Sequence, residues 1–139
     1  MRPIVLTAAS LALLATAPTF ADDVTGADHL LCTTVRATEC YADGGCLPGN
    51  PEEWGSPRFV KVDFKEKMLR TTEASGEDRS TPINSIEREG DRIFIQGVQD
   101  SRAFSIVLDQ DSGTGSTAIV LEGHVLALFS YCTPLEPND

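Results

Sequence analysis

Short runs of alternating apolar and polar residues recur along the chain between residues 28 and 133, and most are rich in β-branched and aromatic side chains. In one run, Phe104, Ile106 and Leu108 occupy every second position. A period of two is typical of a β-strand with one face toward the core. Turn-forming Gly, Asp, Asn and Ser separate the runs. The pattern predicts the strands Leu30–Cys40, Arg58–Phe64, Met68–Thr72, Ser80–Arg88, Arg92–Val98, Ala103–Asp109, Ser116–Glu122 and His124–Cys132.

The links between these strands are mostly short enough for hairpins, and no segment has a convincing amphipathic helical pattern. We therefore predict an all-β fold, a single small antiparallel barrel or sandwich of about eight short strands in meander-like order. The segment Leu47–Pro57 contains three prolines and two glycines and is expected to be a surface loop, with one helical turn at Pro51–Trp54. Trp54 is predicted to cover one end of the barrel or to bind a ligand as an exposed aromatic.

The first 21 residues are expected to be a cleavable export signal. They combine one early positive charge, an apolar run over residues 4–17 and small side chains just before residue 22. The apolar run is shorter than the ~20 residues that span a bilayer. We expect residues 22–139 to form one exported domain, with an ordered core of about residues 28–133, that is periplasmic or secreted and not held in a membrane.

The four cysteines all lie in the part that is expected to be exported, where an even count predicts two disulfide bonds. Three pairings are possible. Cys40 and Cys46 flank the turn-forming segment YADGG, so a bridge between them is sterically easy. Cys32 is then left to pair with Cys132, which it would face if the first and last strands were antiparallel neighbours. The spacing contains no CxxC pair, and we predict no metal site and no cofactor.

The chain is strongly acidic, with a net charge of −10 that becomes more negative when Arg2 leaves with the export signal. Phosphate binding needs clustered Lys and Arg, whereas the basic residues here are scattered among acids. We therefore expect no nucleic-acid partner and no anionic membrane partner. A surface of this sign attracts cationic molecules.

Catalytic chemistry has few candidate residues. The two histidines, His29 and His124, are expected at opposite ends of the paired first and last strands, and no G-x-S-x-G nucleophile elbow accompanies them. We predict no catalytic residue.

The layout is similar to that of small periplasmic β-barrel inhibitors of c-type lysozyme. The shared features are an export signal, a cysteine in the first strand, about eight strands and a cysteine in the last strand. The Ser-Gly-x-x-Tyr segment expected of those inhibitors does not occur in this sequence, so no functional residue is carried over from them.

Three functional hypotheses follow. The leading one is a non-enzymatic binding or interaction module for a cationic (basic) protein partner, because the surface is acidic and catalytic groups are lacking. The first alternative is a carrier with a small apolar ligand inside the barrel, beneath the Trp54 loop. The second alternative is a hydrolase that uses one of the histidines as a general base.

Overall fold

In a computed structural model of the protein, which describes residues 22–76 and 78–136, the regular structure is almost entirely β. The predicted all-β class is confirmed. The predicted export signal, residues 1–21, lies outside the described residues. Two short 3-10 helices, Pro51–Trp54 and Glu73–Ser75, interrupt the strands. The ten strands are β1 His29–Tyr41, β2 Cys46–Gly49, β3 Phe59–Asp63, β4 Met68–Thr71, β5 Ser80–Pro82, β6 Ser85–Glu89, β7 Arg92–Gln99, β8 Arg102–Asp109, β9 Thr114–Leu121 and β10 His124–Pro134.

The strands form one curled antiparallel sheet, a half-barrel, in the order β5-β4-β3-β1-β10-β9-β8-β7-β6. The long strand β1 pairs with β3 along its first half and with β2 along its second half. From β3 to β5 and from β6 to β10, neighbours in the sheet are neighbours in sequence, as a meander requires. The order departs from a meander where β1 lies between β3 and β10, and where the consecutive strands β5 and β6 lie at opposite edges of the sheet.

The first and last strands are antiparallel partners, and their register places Cys32 directly opposite Cys132. Both predicted disulfides, Cys32–Cys132 and Cys40–Cys46, are present. The same register puts His124 opposite Tyr41 at one end of the sheet, whereas His29 lies at the other end beside Asp63 of β3. The predicted separation of the two histidines is therefore confirmed.

The single strand predicted over Ser80–Arg88 is wrong, because the chain bends at Ile83 and Asn84 and forms two strands. The Ile83 N–H donates to the Lys67 carbonyl, and the next N–H, that of Asn84, donates to the Gln96 carbonyl, both at 2.8 Å. Consecutive residues thus bond to opposite edges of the curled sheet. The edge strands β5 and β6 are joined by this bend, which brings the two edges of the half-barrel together.

The prediction of a surface loop over Leu47–Pro57 is wrong for its first residues. The Cys40–Cys46 disulfide joins opposed residues of a tight hairpin, and β2 pairs with β1 from Cys46 to Gly49. Pro48 is tolerated because β2 is an edge strand. The helical turn predicted at Pro51–Trp54 is confirmed.

The main core fills one end of the half-barrel, where β1 and β7 begin. Val24 closes this end from the amino-terminal side, and its N–H donates to the Gln110 carbonyl at 2.8 Å. Buried side chains from β1, β7, β8 and the bend after β5 belong to the same cluster as Val24: Leu30, Ile93, Leu108 and Ile83. We refer to this end as the closed end, and to the opposite end, where β8 and β10 begin, as the open end.

Candidate functional site

A cavity of about 200 Å³ lies inside the half-barrel, between the packed core and the open end. Its wall is mainly apolar because alternate residues of each strand face the concave side of the sheet. Side chains from β3, β7, β8 and β10 supply most of this wall: Val60, Val62, Ile95, Phe104, Ile106 and Leu128.

The sheet register positions this wall. Ile106 of β8 lies between its partners Ile95 of β7 and Thr117 of β9, and all three line the cavity. Phe104 and Leu108 share the inward face with Ile106, as the alternation in the sequence predicted. The Cys32–Cys132 disulfide forms part of the opposite wall, so the bond that ties the first strand to the last also borders the cavity.

Gly97 of β7 allows the close packing beside the cavity. It is buried, and a Cβ at this position would overlap the ring of Phe104 and would lie 2.7 Å from the Pro82 carbonyl oxygen. Any larger residue would therefore push away the Phe104 ring, the edge strand β5 or both. Because Gly97 has no side chain, the Phe104 ring of the cavity wall and the edge strand β5 can both pack closely against β7.

Polar side chains form the rim of the cavity at the open end. Gln99 Nε2 donates to the Ser80 carbonyl at 3.1 Å, and the Gln99 amide oxygen accepts a hydrogen bond from Thr81 Oγ1. Arg79 Nη2 donates to the Gly55 carbonyl at 2.9 Å. These bonds connect β5 with β7 and with the loop after the first 3-10 helix, so they fix the shape of the rim.

The charged residues of the rim are mostly cationic. Arg70, Arg79 and Arg102 line the cavity, together with a single carboxylate among the described lining residues, Asp100. Arg70 forms an ion pair with Glu66. Arg102 is exposed, and within residues 22–76 and 78–136 its side chain has no ion-pair partner.

Trp54, the ligand-binding residue predicted from the sequence, lies next to the cavity. Its half-buried ring packs against the small buried cluster of Ala37, Leu126 and Leu128. Leu128 also lines the cavity, as do the residues that follow Trp54 in the chain, 55–57, whereas Trp54 itself is not among the described lining residues. Direct contact between Trp54 and a ligand stays a prediction, and its position makes it a neighbouring optical reporter.

A second polar cluster joins the ends of β1 and β10 near the open end. Glu39 is buried, and its carboxylate accepts a hydrogen bond of 2.5 Å from the Tyr41 hydroxyl and lies 3.3 Å from His124 Nε2. The hydrogen bond to Glu39 is the largest cause of a raised pKa of Tyr41. His124 Nδ1 lies 3.1 Å from the Glu122 carbonyl oxygen, so both ring nitrogens have partners. This arrangement ties the strand ends together and leaves neither nitrogen directed at a nucleophile.

Residues 22–76 and 78–136 contain no group of three or more His, Cys, Asp or Glu residues that is arranged to hold a metal ion. In the same ranges, no helix has the length and apolar character needed to cross a membrane.

The cavity is thus the feature of the described structure with the geometry of a binding site: an apolar interior, a fixed polar rim and access from one end. Comparison with protein-family models and with curated proteins finds no match for the sequence.

Proposed function

We propose that the protein binds a small, largely apolar molecule in the cavity of the half-barrel and acts as a carrier or receptor for it. The observation that supports this proposal is the apolar cavity of about 200 Å³ with a polar rim. An apolar cavity of ~150 Å³ is large enough to take up benzene. The first alternative from the sequence therefore becomes the leading functional proposal.

The size of the cavity limits the ligand. Pockets for drug-sized ligands occupy roughly 300–1,000 Å³, which exceeds the volume of about 200 Å³ available here. A single aromatic ring or a short alkyl chain fits better than a phospholipid or a sterol. The polar groups at the rim favour a ligand whose apolar part enters first.

Titration with 1-octanol tests the proposal. Binding is measured by calorimetry and by the fluorescence of Trp54, the only tryptophan in the chain. We expect saturable binding and a rise in Tm, because a ligand that binds only the folded state stabilises it.

A cavity-filling variant and a matched control make this test specific. Val60→Phe adds bulk to the cavity wall, whereas Val98→Phe makes the same change at a position that is 61% exposed. We expect Val60→Phe to abolish octanol binding and Val98→Phe to retain it. Octanol that binds neither wild type nor variant would reject the carrier function.

A second candidate function is the leading one from the sequence, binding of a cationic protein. The observation that favours it is a group of aspartates at the closed end, Asp23, Asp91, Asp109 and Asp111. Repulsion from Asp91, followed by burial and then by repulsion from Asp109 and Asp23, raises the pKa of Asp111. A basic partner would relieve this repulsion, and raised salt should weaken its complex. A partner held equally well at high salt would reject this version.

The two disulfides indicate an oxidising environment of the extracellular type. We propose that residues 1–21 direct export and that the protein works in the periplasm or outside the cell. The mass of the protein recovered from the envelope tests this proposal, because cleavage after Ala21 would give a chain that begins at Asp22.

A further inference from the structure

We propose that the ligand of the cavity is a short-chain amphiphile with one anionic head group, an alkyl carboxylate, whose head is bound by Arg102 at the rim. This inference rests on the proposed function of the cavity and specifies the chemistry of the ligand.

The charge distribution is the first observation behind the inference. The chain as a whole has 21 acidic and 11 basic side chains. At the cavity the balance is reversed, since three arginines and one aspartate line it. A rim that is cationic on an acidic protein favours an anion at this position and disfavours a cationic ligand.

The second observation is the separation of roles among the three arginines. Arg70 is paired with Glu66, and Arg79 donates to the Gly55 carbonyl, where it holds the loop against β5. The guanidinium groups of Arg70 and Arg79 therefore already have partners within the protein. In the described part of the chain, Arg102 has no such ion pair.

Arg102 lies at the open end of the cavity, where its charge is within reach of a bound ligand. It is the first residue of β8, directly after the tight turn in which Asp100 and Ser101 both have positive φ. Arg102 lines the main cavity and also the small pocket beside Glu39 and His124. Glu39 already bonds to Tyr41 and His124, so the nearby buried carboxylate is engaged elsewhere.

The chemistry of the two parts of the site is complementary to a fatty-acid-like molecule. A guanidinium presents paired N–H donors that match the two oxygens of a carboxylate. The cavity below it is apolar and accepts only a short chain at about 200 Å³. The alkyl chain would lie against Phe104 and Ile106 while the carboxylate stays at the solvent-exposed rim.

The test compares octanoate with 1-octanol at neutral pH, because the two molecules share a chain and differ in the charge of the head group. We expect octanoate to bind wild type about three- to tenfold more tightly than octanol, the range for a charged hydrogen bond at a partly exposed site. The preference should shrink as salt is added, whereas octanol binding should be insensitive to salt.

Three variants assign the preference to Arg102. Arg102→Gln should bind octanoate no more tightly than octanol, so that the preference is lost, whereas Arg102→Lys should retain most of the preference. Arg92→Gln is the matched control, since Arg92 is an exposed arginine at the closed end and is not among the described lining residues. It removes the same charge and should not change the preference.

The outcomes separate this inference from the carrier function. Equal affinities of octanol and octanoate in wild type, or an unchanged preference in Arg102→Gln, would overturn the assignment of an anionic head group while the carrier function stands. Failure of both molecules to bind wild type would overturn the carrier function and this inference with it.

Discussion

The two disulfides should contribute unequally to stability, because they close loops of very different length. Cys32 and Cys132 are separated by 100 positions in sequence, whereas Cys40 and Cys46 are separated by 6. A cross-link lowers the entropy of the unfolded chain, and the effect grows with the logarithm of the loop length. We consider the double variants Cys32→Ala/Cys132→Ala and Cys40→Ala/Cys46→Ala, each of which removes one bridge and leaves no free thiol.

The chain-entropy relation gives the expected size of each effect. Removal of the long-range bridge should cost about 4.7 kcal/mol, and removal of the short-range bridge about 2.4 kcal/mol. The difference of about 2.3 kcal/mol corresponds to a Tm difference on the order of 10 °C for a domain of this size. Lost packing should increase the first cost, since Cys132 is buried whereas Cys46 is exposed.

Urea unfolding distinguishes the entropic effect from lost packing. Loss of the Cys32–Cys132 bridge should also expand the unfolded chain and raise the m-value, because the unfolded state then exposes more surface. Loss of the Cys40–Cys46 bridge should leave the m-value nearly unchanged. Equal free-energy losses, or equal m-values in the two double variants, would refute the argument from loop length.

Two further substitutions test other parts of the structure. Gly97→Ala should lower the free energy of unfolding by about 1–3 kcal/mol, since the new Cβ overlaps the Phe104 ring and approaches the Pro82 carbonyl; an unchanged urea midpoint would contradict this packing. Repulsion from Asp91 raises the pKa of Asp111 above its usual value of 3.8, so the folded state binds the Asp111 proton more tightly than the unfolded state does. The stability that this difference contributes is lost as the pH rises through the raised pKa. Asp111→Asn should therefore raise Tm slightly at pH 7 and have no effect below the usual pKa, and a lower Tm at pH 7 would show that Asp111 is stabilising.

The sequence allowed prediction of those strands in which local pattern and tertiary burial agree. Phe104, Ile106 and Leu108 alternate with polar or smaller residues, and the sheet does place them on its concave face. The pairing of Cys32 with Cys132 followed from the easy local bridge between the other two cysteines. Strong alternation and covalent constraint both act along short stretches of sequence, which is why they could be recognised there.

The bend at Ile83 and Asn84 could not be predicted in the same way. Asn84 is a turn-former in a run that otherwise alternates well, and the run divides there between two hairpins, since Ile83 still bonds to Lys67 beside β4 whereas Asn84 already bonds to Gln96 of β7. These two hairpins lie at opposite edges of the sheet and meet only because the sheet curls. The strand β2 was missed for a related reason, since Pro48 argues against a strand unless that strand is known to lie at an edge. Both errors concern edges, whose partners are set by the tertiary fold.

The candidate site was likewise predictable from the sequence only in part. The inward-facing residues were predictable, but a void depends on how their volumes fill the space inside the curved sheet. Arg70, Arg79 and Arg102 are spread over 33 positions in sequence and reach one rim only because β4, β5 and β8 meet around the open end. Trp54 attracted attention as a lone tryptophan in a loop, whereas its loop neighbours, residues 55–57, are the ones that line the cavity.

The cavity also affects the stability of the fold. Side chains that line a cavity open to solvent make fewer packing contacts than side chains in a filled core, so this end of the half-barrel contributes less to stability than the closed end. The chain does not lack apolar side chains to fill it, because Val24 and Ile93 close the other end and Phe129 and Tyr131 remain about half exposed on the outside. A ligand present at 100 times its Kd would return about 2.7 kcal/mol to the folded state. Under the proposed function, the ligand would supply the contacts that the lining side chains lack, and the cationic rim would hold its head group.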